Sequence, residues 1–410
     1  MIYDCIIVGA GASGLFCSAA FPTEINGLIL EKTKKPGTKL LMSGAGQCNI
    51  THSGSIKNFI SMYGKNGSKI RSCLYKYNNL HLQDFLCKND VPTWEREDGK
   101  IFPKSMSAKD IRDMLLRKGR ENGFSILYNS SVTSIVQHNS LWQVCTNADS
   151  YLCKNLVIAA GGCSFPQTGS DGSIFKVLTE NQKEDQPRLD LAPLRPALTP
   201  VNVASYPYSN LSGISFKNAG LSIWRNGKLC TRGNGPLLFT HENFSGPLIL
   251  NFSKVITKND KIVLNYLYPS EKTEILDKIN YVMQNRNKQL INLLANELKL
   301  PKSFLKEVIA VTCEKPKAIA EKLTADTFTV TSPGGYQKAM VTAGGIALSE
   351  INCKTMECSR YPGLFIIGEV LDIDGATGGY NLQFAYSSAC AASNTINYTL
   401  ENQLLKLNKI

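Results

Sequence analysis

The chain has 410 residues, too many for one simple core, so two or three domains are expected. Hydrophobic residues make up 43% and charged residues 19%, as in ordinary globular proteins, and no apolar run approaches the length that crosses a bilayer. The apolar N-terminus lacks the basic region of a secretory signal, which predicts a cytoplasmic protein without a membrane partner. These features exclude the membrane-spanning, repeat and low-complexity classes.

Cysteine usage, histidine positions and net charge narrow the chemistry. The 13 cysteines are odd in number, and no C-x-x-C occurs, which indicates reduced thiols and argues against a zinc ribbon or a redox-active dithiol. The four histidines are scattered along the chain, so no metal site is expected. The formal net charge of +12 favours an acidic partner, although such a charge also serves solubility.

The first residues carry a dinucleotide-binding pattern. The segment YDCIIV at 3–8 predicts a buried strand, GAGASG at 9–14 predicts a glycine turn, and LFCSAA at 15–20 predicts a helix. A second predicted strand at 28–30 ends in Glu31, where a carboxylate can accept a hydrogen bond from a ribose hydroxyl. Strand, glycines, helix, strand and acid together are much more specific than the glycines alone.

Each glycine of this turn has its own physical task. Gly9 permits the tight turn, Gly11 lets the backbone approach a pyrophosphate, and Gly14 allows the helix to pack closely on the strand. The start of the helix then presents free N–H groups to the phosphates. This motif alone leaves NAD and FAD open as the cofactor.

Further segments distributed over nearly the whole chain resemble the BaiN-like (YhiN-like) flavoproteins of the two-dinucleotide-binding-domain superfamily. The segments that carry the resemblance are PGTKLLMSGAGQCNITHS at 36–53, EDGKIFPKSMSAKDI at 97–111, NLVIAAGGCSFPQTGSDG at 155–172, LLFTHENFSGP at 237–247, VTAGGIALSEI at 341–351 and GLFIIGEVLDIDGATGGYNLQFAYSSACAA at 363–392. The resemblance implies FAD as the cofactor.

The resemblance also implies where FAD is held. The loop at 43–49 is expected along the flavin, and the run VIAAGG at 157–162 is expected to be a strand that stops at the sheet edge passed by the dinucleotide. The turn at Gly368 is expected near the ribityl-phosphate side, and the helix that begins near Tyr380 or Asn381 is expected to point N–H groups at the pyrimidine end of the ring. The predicted cofactor-binding residues are Gly9, Ala10, Gly11, Ala12, Ser13, Gly14, Glu31, Lys32, Lys39, Ser43, Gly44, Gly46, Gln47, Cys48, Asn49, Val132, Ala160, Gly161, Gly162, Asp171, Gly368, Glu369, Gly379, Tyr380, Asn381 and Leu382.

The predicted fold class is α/β: a Rossmann-like FAD-binding domain, built from N- and C-terminal segments, with an inserted small β-barrel and a helical cap. The FAD-binding domain is placed at 1–190 and 332–410, the barrel at 191–265 and the cap at 266–331. Short strand-like runs support the barrel, namely GLSIWRNGKL, LLFTH, LILNF and KIVLNY. Amphipathic segments such as EILDKINYVM support the cap, and the substrate cleft is expected where the three parts meet at the flavin.

Catalytic residues stay unassigned at this point. No second G-x-G-x-x-G occurs, so a built-in nicotinamide domain is not expected, while NAD(P)H stays open as a transient electron donor. His241, Tyr380 and Cys48 are weak candidates, as hydrogen-bond donor, proton donor and reactive thiol respectively. For each of the three, a structural role is the favoured alternative.

The resemblance leaves several activities open: reduction of steroid-type enones, oxidation of a small aminoketone, and reduction of a uridine in large-subunit ribosomal RNA. A flavin-storage module is a remote further alternative, and the sequence indicates no oligomeric state. We favour ribosomal RNA over a small-molecule substrate because residues 52–83 contain no acid. This stretch interleaves cations with aromatic rings, in the order Lys57, Phe59, Tyr63, Lys65, Lys69, Arg71, Tyr75, Lys76 and Tyr77. The alternative for this stretch is a solvated helical face whose aromatic rings pack inward.

Overall fold

The computed structural model describes residues 1–180, 186–285 and 289–407, so part of each predicted range 1–190, 266–331 and 332–410 lies outside the described residues. The strands, in chain order, are β1 (Ile2–Val8), β2 (Gly27–Leu30), β3 (Thr51–His52), β4 (Thr93–Glu95), β5 (Lys100–Pro103), β6 (Phe124–Leu127), β7 (Val132–His138), β8 (Leu141–Thr146), β9 (Ser150–Ile158), β10 (Leu191–Ala197), β11 (Val201–Val203), β12 (Ser215–Arg225), β13 (Lys228–Phe239), β14 (Phe244–Ser245), β15 (Lys261–Asn265), β16 (Asp326–Pro333), β17 (Val341–Ile346) and β18 (Leu364–Ile366).

The helices are α1 (Ala12–Ala19), α2 (Thr38–Met42), α3 (Ile56–Met62), α4 (Arg71–Lys76), α5 (Asn79–Lys88), α6 (Ala108–Glu121), α7 (Ser173–Thr179), α8 (Pro247–Phe252), α9 (Lys272–Gln284), α10 (Leu290–Leu298), α11 (Lys302–Thr312), α12 (Pro316–Thr324) and α13 (Tyr380–Leu407). Within the described part of the chain, no helix is both long and apolar enough to span a membrane.

The chain divides into two compact units, one formed by Met1–Pro196 with Met340–Ile410 and the other by Ala197–Ala339. Each unit has its own buried apolar cluster. The predicted barrel range began at 191, but β10 pairs with β17 and therefore belongs to the first unit. A pattern of strand-like runs cannot reveal this pairing, because β17 lies far away in the sequence.

A seven-stranded sheet organises the first unit, with the order β6-β2-β1-β9-β8-β7 and with β18 also paired to β9. The strands β6, β2, β1, β9 and β18 run parallel, whereas β7 and β8 form an antiparallel meander. One edge of β9 pairs with β8 through residues 150–153 and with β18 through residues 156–158. This arrangement inserts a strand from the far end of the chain beside the N-terminal strands.

Apolar residues explain why these strands form the centre. Strand β2 is wholly buried and β1 is buried over residues 5–8, as expected for parallel strands covered on both faces. Helix α1 contacts β1 and packs against α13 and α6, and α6 contacts β6. The predicted strand VIAAGG at 157–162 was partly wrong: β9 ends at Ile158, and Gly161 has a φ of 76°, which a strand cannot accommodate.

In the second unit, six antiparallel strands close into a barrel in the order β11-β14-β13-β12-β15-β16, and β16 pairs back to β11. Two sequence interpretations were wrong in detail. The run LILNF is the helix α8, because Pro247 can start a helical turn after Gly246, whose φ is 89°. Strand β16 overlaps the range predicted for the helical cap, and it is needed to close the barrel.

A buried carboxylate ties the barrel to the helix that precedes β16. Asp326 accepts hydrogen bonds from the hydroxyls of Tyr208 (2.5 Å) and Tyr266 (2.8 Å), and its other oxygen accepts from Lys322 Nζ at 2.7 Å. Burial raises the pKa of both tyrosines well above the ordinary value, so both hydroxyls remain protonated donors. The carboxylate therefore satisfies three donors inside the unit.

We predict that Asp326→Ala lowers the free energy of unfolding by about 3 kcal/mol, because two buried hydroxyls and a half-buried ammonium lose their acceptor. Asp326→Asn keeps one acceptor oxygen and should lose less. The matched control is Asp277→Ala on the exposed face of α9, for which a change within about 0.5 kcal/mol is expected. Urea unfolding followed by circular dichroism measures all three, and equal losses for Asp326→Ala and Asp277→Ala would contradict the assigned role.

Candidate cofactor and active site

Four neighbouring parallel strands deliver the predicted site residues to one edge of the main sheet. Strand β1 is followed by Gly9, β2 by Glu31, and β9 by Ala159. The run after β18 reaches Gly368, so residues from both ends of the chain meet here. Since a parallel sheet puts all carboxyl ends on the same side, this edge is where an α/β fold binds its ligand.

The glycine turn has one side closed by protein and one side open. Gly9 has a φ of 103°, and a Cβ there would lie 2.8 Å from the carbonyl oxygen of Ala159. A Cβ at Gly14 would lie 1.9 Å from the carbonyl oxygen of Gly9, so these two positions require glycine for packing. A Cβ at Gly11, in contrast, would meet no protein atom within 4 Å. The backbone at Gly11 therefore borders free space at the start of α1, where no side chain caps the helix.

Glu31 is buried beside this turn. Its carboxylate accepts from the N–H of Ala10 at 2.8 Å and from the N–H and hydroxyl of Thr33, each at 2.7 Å. Four lone-pair positions are available on a carboxylate, so one acceptor position remains for a ribose hydroxyl. The chain returns to this point after β6, where Ser130 N–H donates to the Glu31 carbonyl just before Val132 starts β7.

A second, half-buried carboxylate joins three distant segments. Glu369 accepts from Lys39 Nζ (2.7 Å), from the Ser164 hydroxyl (2.7 Å) and from the Thr342 N–H (2.8 Å). Lys39 also donates to the Ser164 hydroxyl at 2.6 Å. The sequence pointed to Lys39 and Glu369 but missed Ser164 and Thr342. Both lie inside segments quoted for the resemblance, yet their contact with Glu369 depends on the tertiary fold.

The remaining residues after β9 line the same edge. A Cβ at Gly162 would lie 2.3 Å from the Thr342 hydroxyl, so this backbone passes against β17. Farther along, Lys32 forms an ion pair with Asp171. Burial raises the pKa of Asp171, but hydrogen bonds from Lys32 and Ser173 outweigh burial and lower it overall.

The loop at 43–49 and the start of α13 form the other part of the site. Four residues of this loop have positive φ, namely Gly44, Ala45, Gly46 and Cys48. The Asn49 amide is placed to accept from the Gly379 N–H at 3.2 Å, which connects the loop to the turn before α13. Close by, the Thr51 hydroxyl donates to Gln383 Oε1 at 2.6 Å. Ser43 and Gln47 are at least partly exposed, whereas Cys48 is buried.

Helix α13 begins at Tyr380, in agreement with the predicted start. The Gln383 N–H donates to the Gly379 carbonyl. The N–H groups of Asn381 and Leu382 come earlier in the first turn and have no acceptor within the helix. These N–H groups carry the positive end of the helix dipole. The Asn381 amide bonds both backbone groups of Gly375 and fixes the preceding turn.

Tyr380 and Cys48 lie in this first unit and are both buried. The Tyr380 ring stacks on His52 with centroids 5.4 Å apart and packs edge-on against Phe59, while burial raises its pKa. The sequence did not single out His52 as a neighbour of the site. Burial also raises the pKa of the Cys48 thiol to about 11, so very little thiolate exists at neutral pH, and the structure favours packing for this side chain.

His241 is exposed in a turn of the second unit, between β13 and β14. The turn is held by its neighbours, since the Thr240 hydroxyl donates to the Asn243 carbonyl at 2.8 Å. Beside His241, Lys338 pairs with Glu242 at 2.9 Å and lowers the pKa of that carboxylate. Asn243 and Phe244 are buried and serve the barrel.

A Rossmann-type sheet, a glycine turn with free space at Gly11 and a buried acid at the end of β2 define the class of dinucleotide-binding α/β proteins. A family model described as "HI0933-like protein Rossmann domain" matches residues 3–395, and the chain belongs to this family. The chain is therefore a member of a flavoprotein oxidoreductase family, as the sequence predicted.

Three similar proteins carry two different names. A "Ribosomal RNA dihydrouridine synthase" of Escherichia coli (strain K12) is 30% identical over 95% of this chain and 97% of its own length. A protein of the same name from Haemophilus influenzae is 31% identical over 96% of this chain and 98% of its own length. A "3-dehydro-bile acid delta(4,6)-reductase" of Clostridium scindens is 24% identical over 94% of this chain and 97% of its own length.

Solved structures confirm the fold class. An open flavocytochrome c3 fumarate reductase superposes with a TM-score of 0.53 at 14% identity, over 97% of this chain and 78% of that chain. A 3-ketosteroid delta1-dehydrogenase from Sterolibacterium denitrificans gives a TM-score of 0.51 at 11% identity, over 97% of this chain and 100% of that chain. At such identities the likeness concerns the fold and does not extend to the substrate.

We predict that Gly11→Val yields a folded protein that has lost most of its FAD, because a Cβ at this position meets no protein atom within 4 Å and the side chain would occupy the space next to the turn. The ratio of absorbance at the flavin band to absorbance of the protein measures occupancy, and thermal unfolding measures the fold. Gly14→Val is the matched control: it collides with Gly9 and should lose the fold together with the cofactor. A Gly11→Val protein with full flavin content would refute the placement.

We predict that Leu382→Asp lowers the reduction potential of the bound flavin. Leu382 is half-buried at the positive end of α13, and a carboxylate there opposes negative charge on the reduced ring. An effect of about 1.4 kcal/mol corresponds to about 30 mV for a two-electron couple. Leu382→Asn, similar in shape but neutral, is the control. Potentiometry that finds Leu382→Asp at or above the wild-type potential would overturn this role of the helix start.

Proposed function

We propose that this protein reduces a uridine of ribosomal RNA to dihydrouridine through bound FAD, with NAD(P)H as a transient electron donor. Two relatives at 30% and 31% identity over nearly their whole lengths bear the name of this activity. The observation that carries the proposal is the position of the basic stretch 52–83, which packs its apolar side against α13 while its cations face solvent.

The FAD contacts in this proposal follow the geometry of the sheet edge. The Gly9–Gly14 turn and the first N–H groups of α1 would hold the pyrophosphate, and Glu31 would accept from the adenosine ribose. The loop at 43–49, the Gly368–Glu369 turn and the start of α13 would border the flavin ring.

The exposure of the basic stretch divides its side chains into two sets. The cations are all exposed, namely Lys57, Lys65, Lys69, Arg71 and Lys76. Phe59 and Tyr63 are buried, so the inward-packing alternative holds for these two rings. Tyr75 is exposed with the Arg71 guanidinium 5.3 Å from its ring centroid, and Tyr77 is partly exposed. The surface thus offers cations for phosphates and two rings for bases.

Buried contacts connect this surface to the candidate active site. The Tyr63 hydroxyl donates to the Tyr380 carbonyl at 2.7 Å, at the first residue of α13. Gln383 and Ser387 on α13 donate to the Tyr77 carbonyl at 3.0 and 2.6 Å. An RNA strand held on α3–α5 would therefore lie beside the helix start that we assign to the flavin.

Uracil suits this chemistry because its C5–C6 double bond is conjugated to the C4 carbonyl. Reduced FAD, when bound, supplies a hydride to C6, which together with a proton at C5 gives the single bond of dihydrouracil and oxidised FAD. NAD(P)H is the reductant that restores the reduced state. Tyr380 is our candidate for the proton at C5, because it is the first residue of α13, at the helix start that we assign to the flavin, and carries a phenolic hydroxyl.

A steroid-type enone has the same conjugated arrangement. The 24% identical bile acid reductase therefore supports a small-molecule substrate as the alternative. The two substrates differ in the number of charges, because RNA carries a phosphate at every nucleotide whereas a bile acid carries at most one carboxylate. RNA binding to cations therefore weakens steeply as salt rises, whereas binding of a bile-acid-type enone depends on salt only weakly.

We predict that Lys69→Glu with Arg71→Glu weakens ribosomal RNA binding and reduces the slope of log affinity against log salt by about 1.4, at about 0.7 per lost phosphate contact. Flavin content should stay at the wild-type level. The matched control is Lys104→Glu with Lys109→Glu, the same charge change at exposed positions near α6. Fluorescence anisotropy with labelled RNA at several salt concentrations gives the slopes.

The activity itself is tested in cells. Mass spectrometry of ribosomal RNA should show one dihydrouridine less in a strain without the gene, and the wild-type gene should restore it. If the deletion strain keeps all its ribosomal dihydrouridine and the purified protein shows no salt-sensitive RNA affinity, the small-molecule function replaces this proposal.

A further inference from the structure

The barrel of the second unit carries a second basic surface that the candidate site does not use. Between residues 201 and 265, cations greatly outnumber acids. The cations are Lys217, Arg225, Lys228, Arg232, Lys254, Lys258 and Lys261, and the acids are Glu242 and Asp260. Asp260 is buried and pairs with Arg225 through both carboxylate oxygens, and Glu242 pairs with Lys338. Little negative charge is therefore left on this part of the barrel.

Strand register gathers an aromatic ring and two cations on one outer face. Trp224 lies on β12, and its register partners are Leu229 on β13 and Lys261 on β15. Directly opposed side chains in antiparallel strands have their Cβ atoms about 5 Å apart, so the indole lies within reach of Lys261. Ser222, two residues before Trp224 and on the same face of β12, lies opposite Arg232. The register of β12 with β13 shifts between Ile223 and Trp224, and Arg232 lies beyond this shift.

These side chains face solvent. Trp224 is 38% exposed and Leu229 is 37% exposed, whereas Ile223, the neighbour of Trp224 on β12, is buried. Arg232 and Lys261 are exposed, and neither takes part in an ion pair within the described chain. We name the set Trp224, Leu229, Arg232 and Lys261 the barrel strip.

We propose that the barrel strip binds single-stranded RNA, with Arg232 and Lys261 on phosphates and a base stacked on Trp224. The inference rests on the proposed function, and it assigns part of the RNA recognition to the inserted unit. A curved antiparallel sheet that combines an exposed ring with flanking cations suits a single strand, because every base has a face for stacking and every nucleotide a phosphate. A protein partner would favour a larger apolar patch than one tryptophan and one leucine provide.

The test uses the full FAD-loaded protein and a labelled single-stranded oligouridine, with affinity measured at several salt concentrations. Arg232→Glu with Lys261→Glu should weaken binding at least tenfold and reduce the salt slope by about 1.4. Trp224→Ala should weaken binding about tenfold, and Trp224→Phe should retain most of it, because a ring remains for stacking. Lys302→Glu with Lys306→Glu, exposed on α11, is the charge-matched control and should bind like the wild type.

A second probe separates base stacking from charge alone. Heparin has charges but no bases, so Trp224→Ala should bind heparin as the wild type does while losing oligouridine affinity. The inference would be overturned if Trp224→Ala lost heparin and oligouridine affinity equally, or if all barrel-strip variants bound oligouridine like the wild type. Flavin absorbance and thermal unfolding verify that each variant retains its fold.

The outcome also distinguishes this inference from the proposed function. If Lys69→Glu with Arg71→Glu weakens RNA binding but the barrel-strip variants do not, the barrel strip is not an RNA site and the proposed function stands. If the wild-type protein has no salt-sensitive RNA affinity, the proposed function fails and the barrel strip has no RNA to bind.

Discussion

The backbone of α1 packs against the turn before it at a distance that only glycine allows, since a Cβ at Gly14 would lie 1.9 Å from the Gly9 carbonyl oxygen. Because the turn closes this tightly, the Gly9 N–H reaches the Leu30 carbonyl and the Ala10 N–H reaches Glu31. The same contact brings α1 up to the far end of the chain: a Cβ at Gly368 would lie 2.5 Å from the Ser13 hydroxyl. One close approach of backbone thus positions the first, second and last strands around the proposed pyrophosphate site.

What the sequence could predict follows from the range of the interactions involved. The glycine turn, the acid after β2 and the start of α13 are set by residues close together in the chain, and the structure has each of them. The pairing of β10 with β17 and the contacts of Ser164 and Thr342 with Glu369 join segments far apart, so no local pattern contains them. The run LILNF was misassigned for a different reason, because a short apolar run fits a strand as well as a helix. Here Gly246 and Pro247 start the helix.

Charge at the candidate site is balanced by pairing. Lys39 is matched by Glu369, and Lys32 is matched by Asp171. Burying an ion pair is costly unless further hydrogen bonds satisfy it, and here Ser164 and the Thr342 N–H complete the Glu369 carboxylate. With these cations paired, the N–H groups at the start of α13 would supply positive charge to the proposed flavin ring.

The fold and the flavin cannot separate an enone from a uracil, because both present a double bond conjugated to a carbonyl and both accept the same hydride. The surface can separate them. A steroid-type substrate with at most one carboxylate needs few exposed cations, and a net charge of +12 adds self-repulsion that destabilises the compact protein. Cations without acids in residues 52–83, and again on the outer face of β12, β13 and β15, support the proposed ribosomal RNA substrate, which would neutralise them. A polyanion with exposed bases uses both the charges and the rings, which a small metabolite would leave unoccupied.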